Sequence, residues 1–446
     1  MTTLPPLGLG VATSAYQIEG AVDVDGRGRS IWDTFCAREG TVVDGTDASV
    51  ACRSYDRVTD DLDLLTGLGV SAYRFSLAWP RIQPSGSGRV EPRGLDHYER
   101  FVDALLARGV TPLPTLYHWD LPQPLEDAGG WPERETALRF ADYAQAVAAR
   151  LGDRVGTWAT MNEPWCSAFL GYAAGVHAPG RREPEAAYAA AHHLLLGHAL
   201  AARAMPSLDV GIVLNLAPVR PEPGCDPVVA DLVDAVQNRL WLDALADGHY
   251  PAALLARSPA LTERVHDGDL AAVAGSAAWV GVNYYTPLRP GPDAADTGAV
   301  GQDSAAYPHV ETFAFHPRPP HTSMGWEVDA TGLSDVLAAV AARLPGVPLR
   351  VTENGAAFPD DLLDDAGAVR DEDRIAYLRD HLAAVDVARA AGAPVLDYFS
   401  WSLLDNFEWA QGWTQTFGLV SVDAGTGDRL PKHSYRWYAE YIASRQ

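Results

Sequence analysis

The chain has 446 residues, of which 47% are hydrophobic and 21% charged, and its formal net charge is −24 at pH 7. This composition is typical of a globular protein with a large core, and no apolar segment is long enough to span a bilayer. The strong negative charge repels phosphate backbones and anionic lipid, so we expect neither nucleic acid nor membrane partners.

Eight segments rich in Val, Leu and aromatic residues predict β-strands. In chain order they cover residues 7–15, 72–79, 111–119, 157–163, 210–217, 279–286, 349–354 and 394–404. Amphipathic stretches with apolar residues three or four positions apart lie between several of them and predict helices. Such alternation indicates a parallel sheet covered on both faces. Eight units in this length favour one α/β domain over residues 1–446, a (β/α)₈ TIM barrel with elaborated loops after the strands.

Four helices are predicted most directly from their apolar stripes. The stripes comprise Val58, Leu62, Leu65 and Leu68; Leu95, Tyr98, Phe101, Val102, Leu105 and Leu106; Phe140, Tyr143 and Val147; and Ile375, Leu378 and Leu382. Asp60, Asp61 and Asp63 stand at the start of the first helix, where negative charge suits the helix dipole. We interpret these three carboxylates as a solvated face.

Two further features are interpreted as structural rather than as sites. The segment from Pro287 to Pro320 is rich in Pro, Gly and Asp, and it predicts a long loop over the barrel mouth rather than a domain boundary. His192, His193 and His198 lie on an Ala/Leu-rich helix, and their offsets do not suit a metal-binding pair. We therefore expect these histidines to support the fold.

The first residues, MTTLPPLGLG, carry no basic region followed by an apolar stretch, so no signal peptide is predicted. Cys36, Cys52, Cys166 and Cys225 show neither close pairing nor the spacing of metal ligands. We therefore expect reduced thiols in a cytoplasmic protein with no metal and no other cofactor. Cys166 follows Glu163 by three residues, and we interpret it as a small buried filler rather than a pocket residue.

Polar and aromatic side chains recur where the predicted strands end, and catalytic groups of such barrels sit at those C-terminal ends. Two of them are glutamates, Glu163 in TMNEP (160–164) and Glu353 in VTENG (351–355). Two carboxylates brought together at one rim are what cleavage of a glycosidic bond requires. The other polar or aromatic rim residues are Gln17, Arg74, His118, Trp119, Asn162, Asn215, Asn283, Tyr285, Trp401, Glu408 and Trp409.

Seven segments, in order and spread over nearly the whole chain, resemble those of the family 1 glycoside hydrolases. They are ATSAYQIEGA (12–21), AYRFSLAWPRI (72–82), LYHWDLPQ (116–123), TMNEPW (160–165), GVNYYT (281–286), VTENG (351–355) and SWSLLDNFEWAQGW (400–413). The resemblance implies a β-glucosidase on a (β/α)₈ barrel. It implies an exo-acting, retaining enzyme that removes terminal non-reducing β-D-glucosyl residues from β-glucosides and cello-oligosaccharides through a covalent glycosyl-enzyme.

The resemblance also implies roles for the rim residues. Glu163 resembles the general acid/base and Glu353 the nucleophile. Tyr285 resembles the residue that holds the nucleophile, Arg74 the cation that keeps it ionised, and Asn283 is grouped with them. The residues implied in sugar binding are Asn162 at the 2-hydroxyl; Gln17, His118, Trp119, Glu408 and Trp409 around the glycone; Trp401 as its stacking floor; and Trp165, Tyr172 and Trp326 beside the aglycone.

Three other functions compete with this interpretation. A non-catalytic sugar-binding relative is expected to lack one of the two carboxylates, and both are present. A 6-phospho-β-glycosidase should carry a basic cradle where this chain has Asn406-Phe407-Glu408-Trp409, and a carboxylate there would repel phosphate. A metal-dependent hydrolase needs a cluster of metal-binding side chains, and the sequence shows none. Small β-glucosides are the expected substrates, whereas side activity on β-galactosides or β-fucosides and the oligomeric state stay open.

Overall fold

The structure is a computed structural model that describes residues 4–292, 299–423 and 425–445. Eight parallel strands form a closed barrel in which each strand pairs with its neighbours in chain order, and the eighth pairs back with the first. The strands are β1 Gly8–Ala12, β2 Ala72–Ser76, β3 Thr111–Tyr117, β4 Thr157–Asn162, β5 Asp209–Asn215, β6 Val280–Asn283, β7 Leu349–Asn354 and β8 Val395–Trp401.

A helix that packs against the barrel follows each strand. These helices are α1 Val58–Leu68, α2 Pro92–Ala107, α3 Arg134–Leu151, α4 Pro184–Ala204, α5 Leu240–Asp247, α6 Ala330–Arg343, α7 Glu372–Ala390 and α8 His433–Arg445. Helix α1 ends where Gly69 takes a left-handed φ of 71°, and α2 begins with Pro92 at a position whose N–H needs no helical partner.

The loops at both ends of the barrel carry short elements. The short helices are Ala15–Ile18, Ile31–Cys36, Trp79–Ile82, Gln123–Asp127, Pro227–Asp234, Ala252–Leu255, Ala260–Glu263 and Asp269–Val273, with π-helical turns at Cys166–Ala174 and Ala235–Arg239 and 3₁₀ turns at Ser304–Ala306 and Trp409–Gln411. Two small antiparallel sheets pair Pro290–Gly291 with Ala314–Phe315 and Val420–Val422 with Arg429–Pro431.

The core has two layers, one inside the barrel and one between barrel and helices. The interior is filled by a compact set of small and large apolar side chains, so it is a packed core and not a pore. Its members include Ala12, Ala72, Leu113, Ala159, Val213 and Phe399. The outer layer is the larger, and it buries helix side chains such as Leu65, Phe140 and Leu382 against the strands.

The (β/α)₈ prediction is confirmed, since each of the eight predicted segments overlaps a barrel strand and the four predicted stripes lie on α1, α2, α3 and α7. Two details are wrong. Leu106 of the α2 stripe is 39% exposed, and Asp61, interpreted as solvated, is 3% exposed. Asp61 accepts a hydrogen bond from Nε of Arg429 at 2.8 Å, so a partner distant in sequence keeps it inside.

The segment 287–320 follows β6 as predicted, and its residues 293–298 lie outside the described part of the chain. Val300, Gln302 and Tyr307 of this segment border the cavity at the barrel mouth. The three histidines of α4 are buried and bonded to other parts of the fold; His192, for instance, contacts Tyr250 Oη at 2.8 Å. Among the described residues, no helix combines the length and apolarity needed to cross a membrane.

Candidate active site

A cavity of about 170 Å³ opens where the barrel strands end. It is lined by residues from six of the eight strand ends and the loops beyond them, which the chain brings together only through tertiary structure. The predicted residues that line it are His118, Trp119, Glu163, Trp165, Asn215, Asn283, Tyr285, Trp326, Glu353, Trp401, Glu408 and Trp409. Gln17, Arg74 and Asn162 do not line the cavity. Each of them contacts a residue that lines the cavity or the chain neighbour of such a residue.

Glu353 lies at the C-terminal end of β7, and the protein holds both of its carboxylate oxygens. Arg74 Nη1 donates to Oε1 at 2.5 Å, and the Tyr285 hydroxyl donates to Oε2 at 2.8 Å. The Arg74 side chain is fully buried and that of Glu353 is 4% exposed, so the ion pair is shielded from water. A buried charge needs this kind of partner, and the pair leaves Glu353 fixed in position with a guanidinium at its side.

Glu163 follows β4 and has a different environment, in which no cation from the described part of the chain touches the carboxyl. Asn283 Nδ2 donates to Oε1 at 2.6 Å, and Cys166 Sγ donates to Oε2 at 3.1 Å. Burial, with the added repulsion of Glu353, raises the pKa of Glu163 to about 8. This carboxyl is therefore protonated at neutral pH and can donate a proton into the cavity.

Two asparagines connect the surroundings of the two glutamates. Asn162 Oδ1 accepts from Arg74 Nη2 at 2.7 Å and from Asn283 Nδ2 at 3.0 Å. The Thr352 hydroxyl donates to Asn283 Oδ1 at 2.7 Å and so fixes which way that amide points. The network ties β2, β4, β6 and β7 together, which holds both carboxyl groups on a rigid frame.

His118 lines the cavity with a neutral ring. Burial, together with nearby Arg74, lowers its pKa well below the usual value. Asn162 Nδ2 lies 3.0 Å from His118 Nε2, which must then accept, leaving the proton on Nδ1. Nδ1 is buried and has no partner among the described residues.

Aromatic rings form one wall of the cavity beside His118. Its ring stacks at 5.9 Å from Trp401 and at 6.0 Å from Trp409, and Trp119 lies 4.5 Å from Trp409. Flat apolar faces next to hydrogen-bonding groups suit a sugar, which has both C–H faces and hydroxyls. Trp119, Glu163 and Trp409 also have left-handed φ values of 74°, 46° and 49°. Such conformations are costly for large residues and cluster at functional sites.

Glu408 faces the cavity from the loop after β8, and no hydrogen bond to its carboxylate is found among the described residues. Burial, followed by repulsion from Glu353 and Glu163, raises its pKa to about 8. Gln17 supports this loop, because its Nε2 donates to Asn406 Oδ1 and to the Phe407 carbonyl, both at 2.9 Å. Gln17 is completely buried there.

The buried lysine Lys432 anchors the start of the same loop. Its Nζ donates to Asp405 Oδ1 at 2.8 Å and to Asp360 Oδ2 at 2.5 Å, and its side chain has no exposure. Asp405 also accepts from the Gly418 backbone N–H at 2.8 Å. The loop that carries Glu408 is therefore fixed by a charged cluster that sequence inspection did not find.

Trp165 and Trp326, predicted to lie beside the aglycone, line the cavity. Tyr172 does not; its hydroxyl donates to Glu126 at 2.5 Å inside the protein. The interpretation of Cys166 as a filler is wrong, because its thiol lines the cavity and bonds to Glu163. Residues that sequence reasoning missed are His177, Gln237, Gln302, Tyr307 and Met324. They sit outside strand ends, where no pattern marks them.

The described residues contain no group of three or more His, Cys, Asp or Glu side chains suited to a metal ion. What the cavity does hold is a protonated carboxyl and a carboxylate paired with arginine, beside stacked aromatic rings. A (β/α)₈ barrel with this pair at its C-terminal end has the architecture of a glycoside hydrolase.

Comparison with known proteins identifies the family. The model of glycosyl hydrolase family 1 matches residues 7–446, and the chain belongs to this family. It is 44% identical to a bifunctional β-D-glucosidase/β-D-fucosidase of Bifidobacterium breve, over 99% of both chains. It is 45% identical to a thermostable β-glucosidase B of Thermobispora bispora, over 97% of this chain and 89% of the relative.

A solved structure gives the same result for the fold. The psychrophilic β-glucosidase of Micrococcus antarcticus superposes with a TM-score of 0.94 at 43% identity, covering 99% of this chain and 97% of the other. The resemblance to family 1 inferred from seven sequence segments is thus confirmed, and the protein is a glycoside hydrolase.

Proposed function

We propose that the protein is a retaining, exo-acting β-glucosidase that hydrolyses terminal β-D-glucosyl residues by double displacement. The observation that carries the proposal is the contrast between two buried carboxyl groups at one cavity. Glu353 is paired with Arg74 and Tyr285, whereas Glu163 has no cation in contact and a pKa of about 8. When two carboxyl groups have such different environments, the one paired with a cation serves as nucleophile and the protonated one serves as acid.

In the first step, a Glu353 oxygen attacks the anomeric carbon while Glu163 gives its proton to the glycosidic oxygen. The bond from the anomeric carbon to the leaving group breaks, the aglycone leaves as an alcohol, and a glucosyl ester on Glu353 forms. Arg74 and Tyr285 hold the attacking carboxylate still, so little reorganisation is needed. Asn162, through its remaining amide proton, is placed beside Glu163 and Glu353 to bond the sugar 2-hydroxyl.

In the second step, Glu163 acts as base. Once Glu353 is esterified its charge is lost, so one of the causes that raise the pKa of Glu163 disappears. The ionised Glu163 takes a proton from water, whose oxygen attacks the anomeric carbon and releases Glu353. Two inversions give glucose of the original β configuration. NMR of the first product from a β-glucoside tests this directly, and an initial α-anomer would contradict retention.

The roles of the two acids are tested by chemical rescue. In Glu353→Ala, azide should restore turnover and give the α-glucosyl azide, because it replaces the nucleophile in a single displacement. In Glu163→Ala, azide should give the β-glucosyl azide from substrates with very good leaving groups, because these need little protonation. Glu39→Ala, at an exposed position, is the matched control and should behave as wild type. Exchanged products would show that the roles are reversed.

Exo action on glucosides and cello-oligosaccharides is supported by Trp401 and Trp409, which both stack against His118 at the cavity and would hold a terminal sugar. Cellotetraose should lose one glucose at a time from its non-reducing end, with cellotriose as the first companion product. Early cellobiose in place of glucose would indicate internal cleavage. Because one relative is named for both glucosidase and fucosidase activity, β-fucosides are the first alternative substrates to assay.

A further inference from the structure

The acid/base Glu163 has a thiol as the donor to its second oxygen. Cys166 lies one turn further along the chain, where its backbone N–H donates to the Glu163 carbonyl at 2.9 Å. The same turn places Sγ 3.1 Å from Glu163 Oε2. Oε1 is already bonded to Asn283, so the thiol is the remaining protein donor to this carboxyl among the described residues.

The hydrogen-bond direction at Cys166 follows from its other contact. Asn215 Nδ2 donates to Sγ at 3.7 Å, so the sulfur accepts there and its single proton is left for Glu163. The backbone at Asn215 is held in place, since its main-chain carbonyl accepts from Gln237 Nε2 at 2.8 Å and Gln237 Oε1 accepts from the Tyr307 hydroxyl at 2.7 Å. Burial, then the charge of Glu163, raises the pKa of the Cys166 thiol well above its usual value. The group is a thiol donor and not a nucleophile.

We propose that Cys166 is a positioning residue for the general acid/base, holding Oε2 of Glu163 and favouring its ionised form through a weak S–H hydrogen bond. The inference rests on the proposed function of Glu163. A retaining mechanism requires the same carboxyl to be protonated in one step and ionised in the next. A thiol is a weaker donor than a hydroxyl, so it supports the anion without abolishing the acid.

Other groups also act on Glu163 and must be kept constant in the test. Those that face it are Glu353 on β7, Arg74 on β2, Tyr285 after β6 and Glu408 after β8. None of them is altered by a change at Cys166, which approaches from the turn after β4. A shift seen on changing the thiol alone is therefore due to the lost or altered hydrogen bond.

The experiment compares Cys166→Ala and Cys166→Ser with wild type through the pH dependence of kcat/KM. Removing the donor should move the basic limb upward by roughly 0.5–1 pH unit, because the anion of Glu163 loses a hydrogen bond. The serine hydroxyl, a stronger donor, should move the same limb downward. Cys225→Ser, at a half-buried thiol away from the cavity, is the matched control and should leave the limb in place.

A second measurement separates positioning from mere packing. For a dinitrophenyl β-glucoside, loss of the glucosyl ester limits turnover, and the acidic limb of kcat reports Glu163 as base. This limb should move in the same direction as the basic limb in each variant. Limbs that stay in place, or that move the same way in both Cys166 variants, would overturn the inference. Inactivity of wild type on β-glucosides, or a failed rescue of Glu163→Ala, would instead count against the proposed function.

Discussion

In the proposed mechanism Glu163 needs its proton when substrate arrives, so its pKa of about 8 should set the upper pH limit of activity. The direction of the pH dependence follows from the role of Glu163, because its acid form is present below this pKa and is lost as pH rises through it. We therefore expect kcat/KM to be bell-shaped, with a basic limb near pH 8.

Glu408 has a similar pKa and could be mistaken for the group responsible, so the control is Glu408→Gln. Its basic limb should persist near that of wild type, although activity falls. The measurement is a pH series of initial rates at low substrate concentration. A limb that vanishes in this variant would assign the ionisation to Glu408, and a flat profile from acid to alkaline pH would contradict the assignment of Glu163.

The carboxyl of Glu408 has no hydrogen-bond donor among the described residues and faces the cavity, so a sugar can supply its hydrogen bonds. We expect Glu408→Ser to reduce kcat/KM for a β-glucoside at least tenfold, which corresponds to about 1.4 kcal/mol of transition-state binding. Above about pH 8, where Glu408 is ionised, a 6-phosphoglucoside should lose least, because the change removes a repelling charge. Steady-state kinetics on both substrates check this, with Glu39→Ser as the exposed control. A wild-type preference for the phosphorylated sugar would overturn the pocket assignment.

At the scale of elements, the strands were predictable because each is a short apolar run with a polar residue at its end. Their C-terminal bounds were not, since the predicted segments 111–119 and 157–163 run past β3 and β4. Trp119 and Glu163 take left-handed φ values at those points, and the conformational propensities of these residue types do not predict such a turn. The catalytic strand ends were thus located to within a few residues.

Contacts between distant segments explain what sequence reasoning missed. Asp61 looked solvated because its partner Arg429 is 368 residues away, on the strand that precedes α8. Cys166 looked like a filler because a cysteine pattern carries no information about the direction of its S–H bond. The ion cluster of Lys432 joins Asp360 and Asp405 from two different loops. Each of these depends on tertiary packing, which periodicity does not encode.

The Lys432 cluster leads to a prediction for the loop that carries Glu408. Lys432→Met keeps the apolar stem but leaves Asp405 and Asp360 buried without their cation, and breaking a buried pair costs about 3–5 kcal/mol. Urea unfolding should show this loss. Arg379→Met, which removes an exposed pair with Asp380, should leave the midpoint unchanged. Adding Asp405→Asn to Lys432→Met should recover part of the loss, and an unchanged midpoint in Lys432→Met would contradict the role of the cluster.

For the whole molecule, the net charge of −24 should disfavour anionic substrates. The cavity adds the carboxylate of Glu353 to this field. A glucoside of 4-hydroxybenzoate and the matching neutral amide have nearly the same size and differ by one charge. We expect kcat/KM for the anionic glucoside to rise several-fold between about 0.01 and 0.5 M salt, because screening shortens the range of repulsion.

The neutral amide should change less than about twofold over the same salt range, since it carries no charge to be screened. The ratio of the two values is the measurement, which removes any general effect of salt on the enzyme. An equal response of both substrates would show that the overall field does not reach the cavity.

Lys432 is the only lysine in the chain, and its amine is enclosed between Asp360 and Asp405. Succinimidyl dyes, glutaraldehyde and amine-coupled surfaces act on primary amines, and in the folded protein the amine of this lysine is shielded from them. The lysine coupling commonly used for enzymes should therefore fail on the folded molecule. Label found on Lys432 would then mark chains that have unfolded, and the rate of its appearance would measure how fast this part of the barrel opens.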